Sequence, residues 1–216
     1  MDIKAFIMDM DGTLTDSMLA WRTLCDRYLI SKGREPEPHL IEKLKPMSLK
    51  QSADYFREEY GIEDDWKKII DDEMAIMDHF YHNEVELKPG VPEFLGLANK
   101  AGIRMCIASA TEKPQVEAAL SRCGILDRFE FIITCSESTG KDEPGIYEDA
   151  LSRLGTEKKA TWVVEDASYA VRTAHDAGFK VAGVYDASAK RDRQKISKCC
   201  EVYGDTMFEV AEKLGL

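Results

Sequence analysis

"FIMDMDGTLTDS", residues 6–17, closes a short apolar run on two carboxylates one residue apart, with glycine and threonine directly behind them. Asp9 and Asp11 repel each other, and such a pair settles only beside a cation or around a shared proton. Folding alone gives no reason to place them there. The run that delivers them, Ile3–Met8, is short and mostly apolar, the pattern of a buried strand.

The same pattern recurs at Ile103–Ala108, Phe131–Thr134, Thr161–Val164 and Lys180–Val184, with a last short strand at Glu201–Tyr203. Helical spacing separates the later runs. Lys113–Cys123 stops at Gly124, and Pro144–Leu154 carries proline in its first turn and stops at Gly155. Ser168 is placed to cap a helix that runs to Ala177, and Asp205–Leu214 reads as a final helix. Strand and helix alternating at this rhythm predict an α/β fold, a Rossmann-like three-layer core whose parallel sheet is covered on both faces.

Residues 16–88 break the rhythm. Trp21, Leu24, Cys25, Tyr28 and Leu29 form one helical stripe. Ser48-Leu-Lys-Gln51 is a capping-box pattern, followed by Leu49, Ala53, Phe56 and Tyr60 on one face. Trp66, Ile69, Ile70, Met74, Met77 and Tyr81 make a third stripe. The expected organisation is therefore a core of residues 1–15 and 89–216 and an inserted α-helical domain of residues 16–88.

Composition narrows the function classes. The 216 residues are 44% hydrophobic and 32% charged, as in an ordinary globular protein. A formal net charge of −11 argues against nucleic acid as a partner, because phosphate backbones need clustered Lys and Arg. No apolar run reaches the roughly 18 residues of a membrane span, and the N-terminus lacks the features of a signal peptide. The six cysteines show no CxxC pair or zinc spacing, so they read as reduced thiols and the protein as cytoplasmic. Nothing calls for a partner chain, and a monomer is expected.

Ligands of a parallel sheet gather beyond the carboxyl ends of its strands. Asp9, Asp11, Gly12 and Thr13 follow the first strand, and Ser109, Ala110 and Thr111 the second. Gly140-Lys141 follows the third and Glu165-Asp166 the fourth. Carboxylates, a lysine and a hydroxyl converging on one spot suit Mg²⁺ with a phosphoryl group, since Mg²⁺ takes hard oxygens from a few carboxylates, waters and phosphate. Lys141 and Ser109 would hold the phosphate together with backbone N–H groups at Gly12 and Ala110. Gly140-Lys141 is no Walker A motif, because Asp142 follows it and Cys135 stands where the first glycine belongs.

DxDGTxxDS at a first strand, IASAT at a second, the lysine of GKDEPGIY and VVED resemble, in order, the four motifs of the haloacid dehalogenase superfamily. The helical insertion is similar to its helical cap, and the resemblance is nearest the β-phosphoglucomutase-like and phosphoglycolate-phosphatase-like branch. It implies Asp9 as a nucleophile that becomes an aspartyl-phosphate, Asp11 as general acid and then base, and Ser109 with Lys141 as phosphoryl-binding residues. It also implies Mg²⁺ at Asp9, Asp166 and the Asp11 backbone carbonyl, with Glu165 bound directly or through water. The implied substrate is a small phosphorylated metabolite.

Three positions depart from the family pattern. Asp142 stands where relatives usually have proline. Trp21 and Leu49 stand where family mutases have a histidine and an arginine, which favours a phosphatase over a β-phosphoglucomutase-like mutase. A phospho-accepting signalling module, the alternative from another class, is much shorter, carries its paired acids adjacent, and lacks the helical insertion. Trp21, Lys45 and Lys50 are the expected specificity residues of the cap.

Overall fold

The structure is a computed structural model and describes residues 2–216. The chain divides into two compact units, one made of Met1–Ser17 with Val85–Leu216 and the other of Met18–Glu84.

The helical unit comprises α1 (Met18–Arg22), α2 (Leu24–Ser31), α3 (Leu40–Leu44), α4 (Leu49–Tyr60) and α5 (Trp66–Asn83). Its start signals act as their chemistry demands. Ser48 Oγ accepts from Gln51 N at 3.3 Å while Ser48 N donates to Gln51 Oε1 at 2.8 Å, a complete capping box. Asp65 caps α5 by accepting from Lys67 N and Lys68 N, both at 2.9 Å. Tyr28, Leu29, Leu40, Leu44, Ala53, Phe56, Ile62 and Ile69 form its core. Leu49, expected on the buried face of α4, is 66% exposed and lies outside this cluster.

The stripe on α5 also differs from expectation. Its buried residues are Ile69, Glu73, Met77, Phe80 and Tyr81, while Trp66 is exposed. Glu73 lies one turn from both Ile69 and Met77, where the spacing calls for an apolar side chain. Its Oε1 has no hydrogen-bond partner. Burial raises the Glu73 carboxyl above its ordinary value of 4.5, opposed in part by a hydrogen bond with Cys25. A carboxyl raised by burial stabilises the fold below its unfolded value and loses that contribution as pH rises through its folded value. Glu73→Met should therefore stabilise the protein at pH 7.5 by about 1–3 kcal/mol, the cost of an unsatisfied buried polar group. The gain should shrink at pH 4.5. Urea unfolding at the two pH values measures it, and a variant less stable than wild type at pH 7.5 would refute the account.

In the larger unit, β1 (Ala5–Met8) is followed by α6 (Val91–Lys100), β2 (Arg104–Ser109), α7 (Lys113–Arg122) and β3 (Ile132–Thr134). Then come α8 (Gly145–Leu154), β4 (Thr161–Glu165), α9 (Ser168–Asp176), β5 (Lys180–Val184), α10 (Arg193–Lys198), β6 (Val202–Gly204) and α11 (Met207–Leu214). The strands form a six-stranded parallel sheet in the order β3-β2-β1-β4-β5-β6. β1 is buried at every residue, as a central parallel strand covered on both faces must be. Its alternation assigns the two faces. Ala5 and Ile7 join the cluster that holds Ile146 and Ala150 of α8, Val171 of α9 and Ile196 of α10. On the other face Phe6 meets Phe94 of α6, with ring centroids 5.1 Å apart.

The helices at Val91–Lys100 and Arg193–Lys198 are absent from the sequence expectations. Ser168 does not cap α9: the N-cap is Ala167, without a side-chain bond. Glu165 Oε2 instead accepts the free N–H groups of Asp166 and Ala167 at 2.8 and 3.0 Å. The passages leading out to the helical segment and back again pair with each other, through Asp16 N to Glu86 O and Lys88 N to Leu14 O, both at 2.9 Å.

Candidate active site

β1 lies between β2 and β4, with Met8 in register with both Ile107 and Val164. That register brings Asp9, Ser109 and Glu165 to one edge of the sheet. Immediately after Asp9 the chain turns back on itself: Thr13 N, Leu14 N and Thr15 N all donate to Met10 O, at 3.3, 2.9 and 2.9 Å. Gly12 sits at φ +86°, a conformation that disfavours a side chain, and a Cβ there would lie 2.5 Å from Asp166 Oδ2. The glycine thus keeps open the space in front of Asp166.

Lys141 is buried and donates to Asp9 Oδ1 and, at 2.7 Å, to Glu165 Oε1. Thr13 Oγ1 donates to Asp166 Oδ1 at 2.8 Å. Carboxylate oxygens of Asp9, Glu165 and Asp166 lie within 4.8 Å of one another, and all three residues are buried. Burial pushes Asp9 up to about 7, with Lys141 opposing and Glu165 and Asp11 adding to the rise. Burial and the charges of Glu165 and Asp9 likewise hold Asp166 well above the ordinary range. Lys141 is held well above its usual value: burial opposes its charge, but Asp9 and Glu165 outweigh it.

This donor set fits Mg²⁺. Three carboxylates and one lysine leave an excess of negative charge in a buried space, the oxygens are hard donors, and Gly12 leaves room beside Asp166. A divalent cation there would reverse the rise at Asp9 and Asp166 by supplying the missing opposite charge.

Asp11 is held separately from this cluster's lysine. Its Oδ1 accepts from Ser17 Oγ and its Oδ2 from Thr111 Oγ1, each at 2.6 Å. Ser17 Oγ also lies 3.1 Å from Thr15 Oγ1, which donates to Met10 O at 3.0 Å. Ser109 is buried, and its Oγ accepts from Thr111 N at 3.0 Å, which leaves its own proton free to be donated. Ala110 is exposed beside it.

The predicted residues Asp9, Asp11, Gly12, Ser109, Ala110, Lys141, Glu165 and Asp166 are thus gathered at one sheet edge. The three residues of the helical unit stand apart from one another in environment. Trp21 Nε1 donates to Tyr81 Oη at 2.9 Å, Lys45 is exposed, and Lys50 pairs with Asp54 at 3.2 Å.

Two groups escaped the sequence reading. Lys88 is buried and donates to Gly12 O, to Tyr185 O at 2.7 Å and to Asp186 Oδ2 at 2.9 Å. Asp186 follows the end of β5, so the strand-end rule applied to a fifth strand finds it. Tyr147 of α8 carries a buried hydroxyl without a partner, and the charges of Glu165, Lys141 and Asp9 act on it.

Residues 6–184 match the family model described as "Haloacid dehalogenase-like hydrolase". The chain is 28% identical to "Protein CbbY" of Rhodobacter capsulatus over 84% of its own length and 85% of that protein's. It is 29% identical to "Hexitol phosphatase A" of Escherichia coli (strain K12), over 85% of this chain and 84% of that one. The crystal structure of a "putative beta-phosphoglucomutase from Thermotoga maritima" superposes with a TM-score of 0.86, at 21% identity over 99% of both chains, and shows the same fold.

Proposed function

This chain belongs to the haloacid dehalogenase-like hydrolase family, and we propose that it is a Mg²⁺-dependent phosphatase that hydrolyses a small phosphorylated sugar or polyol through an aspartyl-phosphate. The observation that carries this reading is the contact of Lys141 with both Asp9 and Glu165 at the sheet edge where Asp166 and Ser109 also lie. The similarity to a hexitol phosphatase supports the substrate class.

In the first step an Asp9 carboxylate oxygen attacks phosphorus, the bond to the substrate oxygen breaks, and Asp11 gives that oxygen a proton. In the second, Asp11 takes a proton from water as the water oxygen attacks phosphorus, releasing phosphate and restoring the Asp9 carboxylate. Lys141 and Ser109 hold the phosphoryl oxygens, whose charge a preorganised site stabilises. Asp9, Asp166 and Glu165 with the Asp11 carbonyl would hold Mg²⁺, which supplies charge neutralisation.

Asp11 must be held as both acid and carboxylate, and its hydroxyl neighbours suit both. When Asp11 is ionised, Ser17 donates to Oδ1. When it is protonated, Asp11 can donate to Ser17, which then donates to Thr15, whose own proton is already on Met10 O.

Phosphate release from hexitol and hexose phosphates should cease in excess EDTA, return with Mg²⁺, and fall when Ca²⁺ replaces it, because calcium prefers more ligands at longer distance. With a hexose 1-phosphate, phosphorus NMR should show inorganic phosphate or no reaction, and no 6-phosphate isomer. Trp21 and Leu49, in place of a mutase's histidine and arginine, support that outcome. Full activity in EDTA would remove the metal, and steady isomerisation would put the mutase reading first.

Trp21, Lys45 and Lys50 are proposed to set specificity. Trp21→Ala should reorder the preferred substrates while p-nitrophenyl phosphate turnover stays within a few-fold. A uniform fall across all substrates would make Trp21 structural.

A further inference from the structure

Beside the loop that carries Lys141, the larger unit holds a pocket of about 590 Å³, lined among others by Asp142, Tyr169, Arg172, Thr173, Lys195 and Lys198. Its volume falls in the range of small-molecule sites. Tyr169, Arg172 and Thr173 lie within about one turn of each other on α9, and Lys195 and Lys198 one turn apart on α10, so each helix presents one face to the space.

The charge of this pocket is unlike that of the chain. The protein carries a formal net charge of −11, yet three cations and one carboxylate line the cavity. Lys195 pairs with Asp192 at 2.7 Å. Arg172 and Lys198 form no ion pair or hydrogen bond among the described residues, although the chain carries 40 Asp and Glu against 29 Lys and Arg. Arg172 and Lys198 line one cavity with neither in an ion pair, and an anion between them relieves the repulsion of like charges. A guanidinium on one helix facing ammonium groups on the next suits a phosphate oxygen set, which guanidinium binds in bidentate fashion. Tyr169 is 53% exposed and offers both a flat apolar face and a hydroxyl at the same opening.

We propose that this pocket is a second anion site, distinct from the Asp9 cluster, that binds a phosphate monoester dianion between Arg172, Lys195 and Lys198, with the organic part lying against Tyr169. It shares no residue with the group formed by Asp9, Lys141 and Glu165. The same chemistry is offered by the substrate or product of this enzyme and by an unrelated effector such as a nucleoside monophosphate.

Amide NMR titration of the full chain in EDTA distinguishes the sites and the sources. Inorganic phosphate, a hexitol phosphate and AMP are the probes. Saturable shifts are expected at the amides of Tyr169–Thr173 and Lys195–Cys199. In the Arg172→Ala/Lys198→Ala variant these shifts should require at least tenfold more ligand, and in Arg172→Gln a severalfold excess. Asp142→Ala should tighten binding severalfold. Shifts at the loop Asp9–Thr15, and turnover of p-nitrophenyl phosphate, should be unchanged in both Arg172 variants. Tighter binding of AMP than of the hexitol phosphate would assign the site to a nucleotide effector, and the reverse to substrate or product. Both exposed cations lack partners, so their truncation costs the fold little. Absence of saturable shifts at α9 and α10, or unchanged affinity in the double variant, overturns the proposal.

Discussion

Asp9→Asn should leave a folded protein whose phosphatase turnover is at least a thousandfold below wild type. A carboxamide has no anionic oxygen with which to attack phosphorus, so the loss falls on kcat, and a thousandfold corresponds to about 4 kcal/mol of barrier. Folding should survive because the substitution removes a charge that burial and the neighbouring Glu165 and Asp11 already disfavour. Lys141 keeps Glu165 as a partner at 2.7 Å, so no buried cation is stranded. The unfolding temperature should therefore stay within a few degrees of wild type while activity disappears. Circular dichroism melting beside a phosphate-release assay separates the two effects. Retention of a tenth of the activity in the folded variant removes Asp9 as nucleophile.

That prediction uses the part of the molecule legible from the chain alone. Strands that are buried on both faces show as short apolar runs, and the chemistry sits beyond where each run ends, so Asp9, Ser109, Lys141, Glu165 and Asp166 are legible in the sequence. Local rules worked where the partners are local: Ser48 and Gln51 form their capping box three residues apart. Ser168 failed because the helix begins one residue earlier than the hydroxyl suggests: Ala167 is the N-cap and Ser168 is already the first helical residue. Glu73 escapes a stripe counted through apolar residues, which runs by Ile70 and Met74, whereas the buried face runs Ile69, Glu73, Met77. Lys88 stands at the last position of the expected helical insertion, where nothing in the sequence marks it. Its partners, Gly12 and Asp186, lie 76 and 98 residues away, and no periodicity links them.

Lys88→Met should be among the most destabilising single changes in the larger unit outside its apolar core. The ammonium joins three segments, the loop at Gly12, the return strand at residue 88 itself and the end of β5 at Tyr185 and Asp186. Side chains of Lys88 and Asp186 are 10% and 6% exposed. Removing one partner of a buried ion pair leaves the other charge uncompensated, at a cost of about 3–5 kcal/mol. Methionine keeps the length and volume of the stem, so the loss reports the charge rather than a cavity. Asp186 gives the loss a pH signature. Burial works to raise its carboxyl, but the bonds from Ser188 and Lys88 prevail and hold it below its ordinary value of 3.8. A depressed carboxyl contributes stability above its unfolded value and loses it as pH falls through the folded one. The gap between wild type and Lys88→Met should thus be full at pH 7 and narrow below about pH 4. Adding Asp186→Asn to Lys88→Met should recover part of the stability, because the stranded charge is gone. Activity should fall in Lys88→Met even where the protein is folded, since Gly12 O loses its donor next to Asp11 and Asp166. Recovery of stability by Asp186→Asn without recovery of kcat would show that the ammonium shapes the Gly12 turn directly, and equal stability of Lys88→Met and wild type at pH 7 would show that the buried pair contributes nothing net.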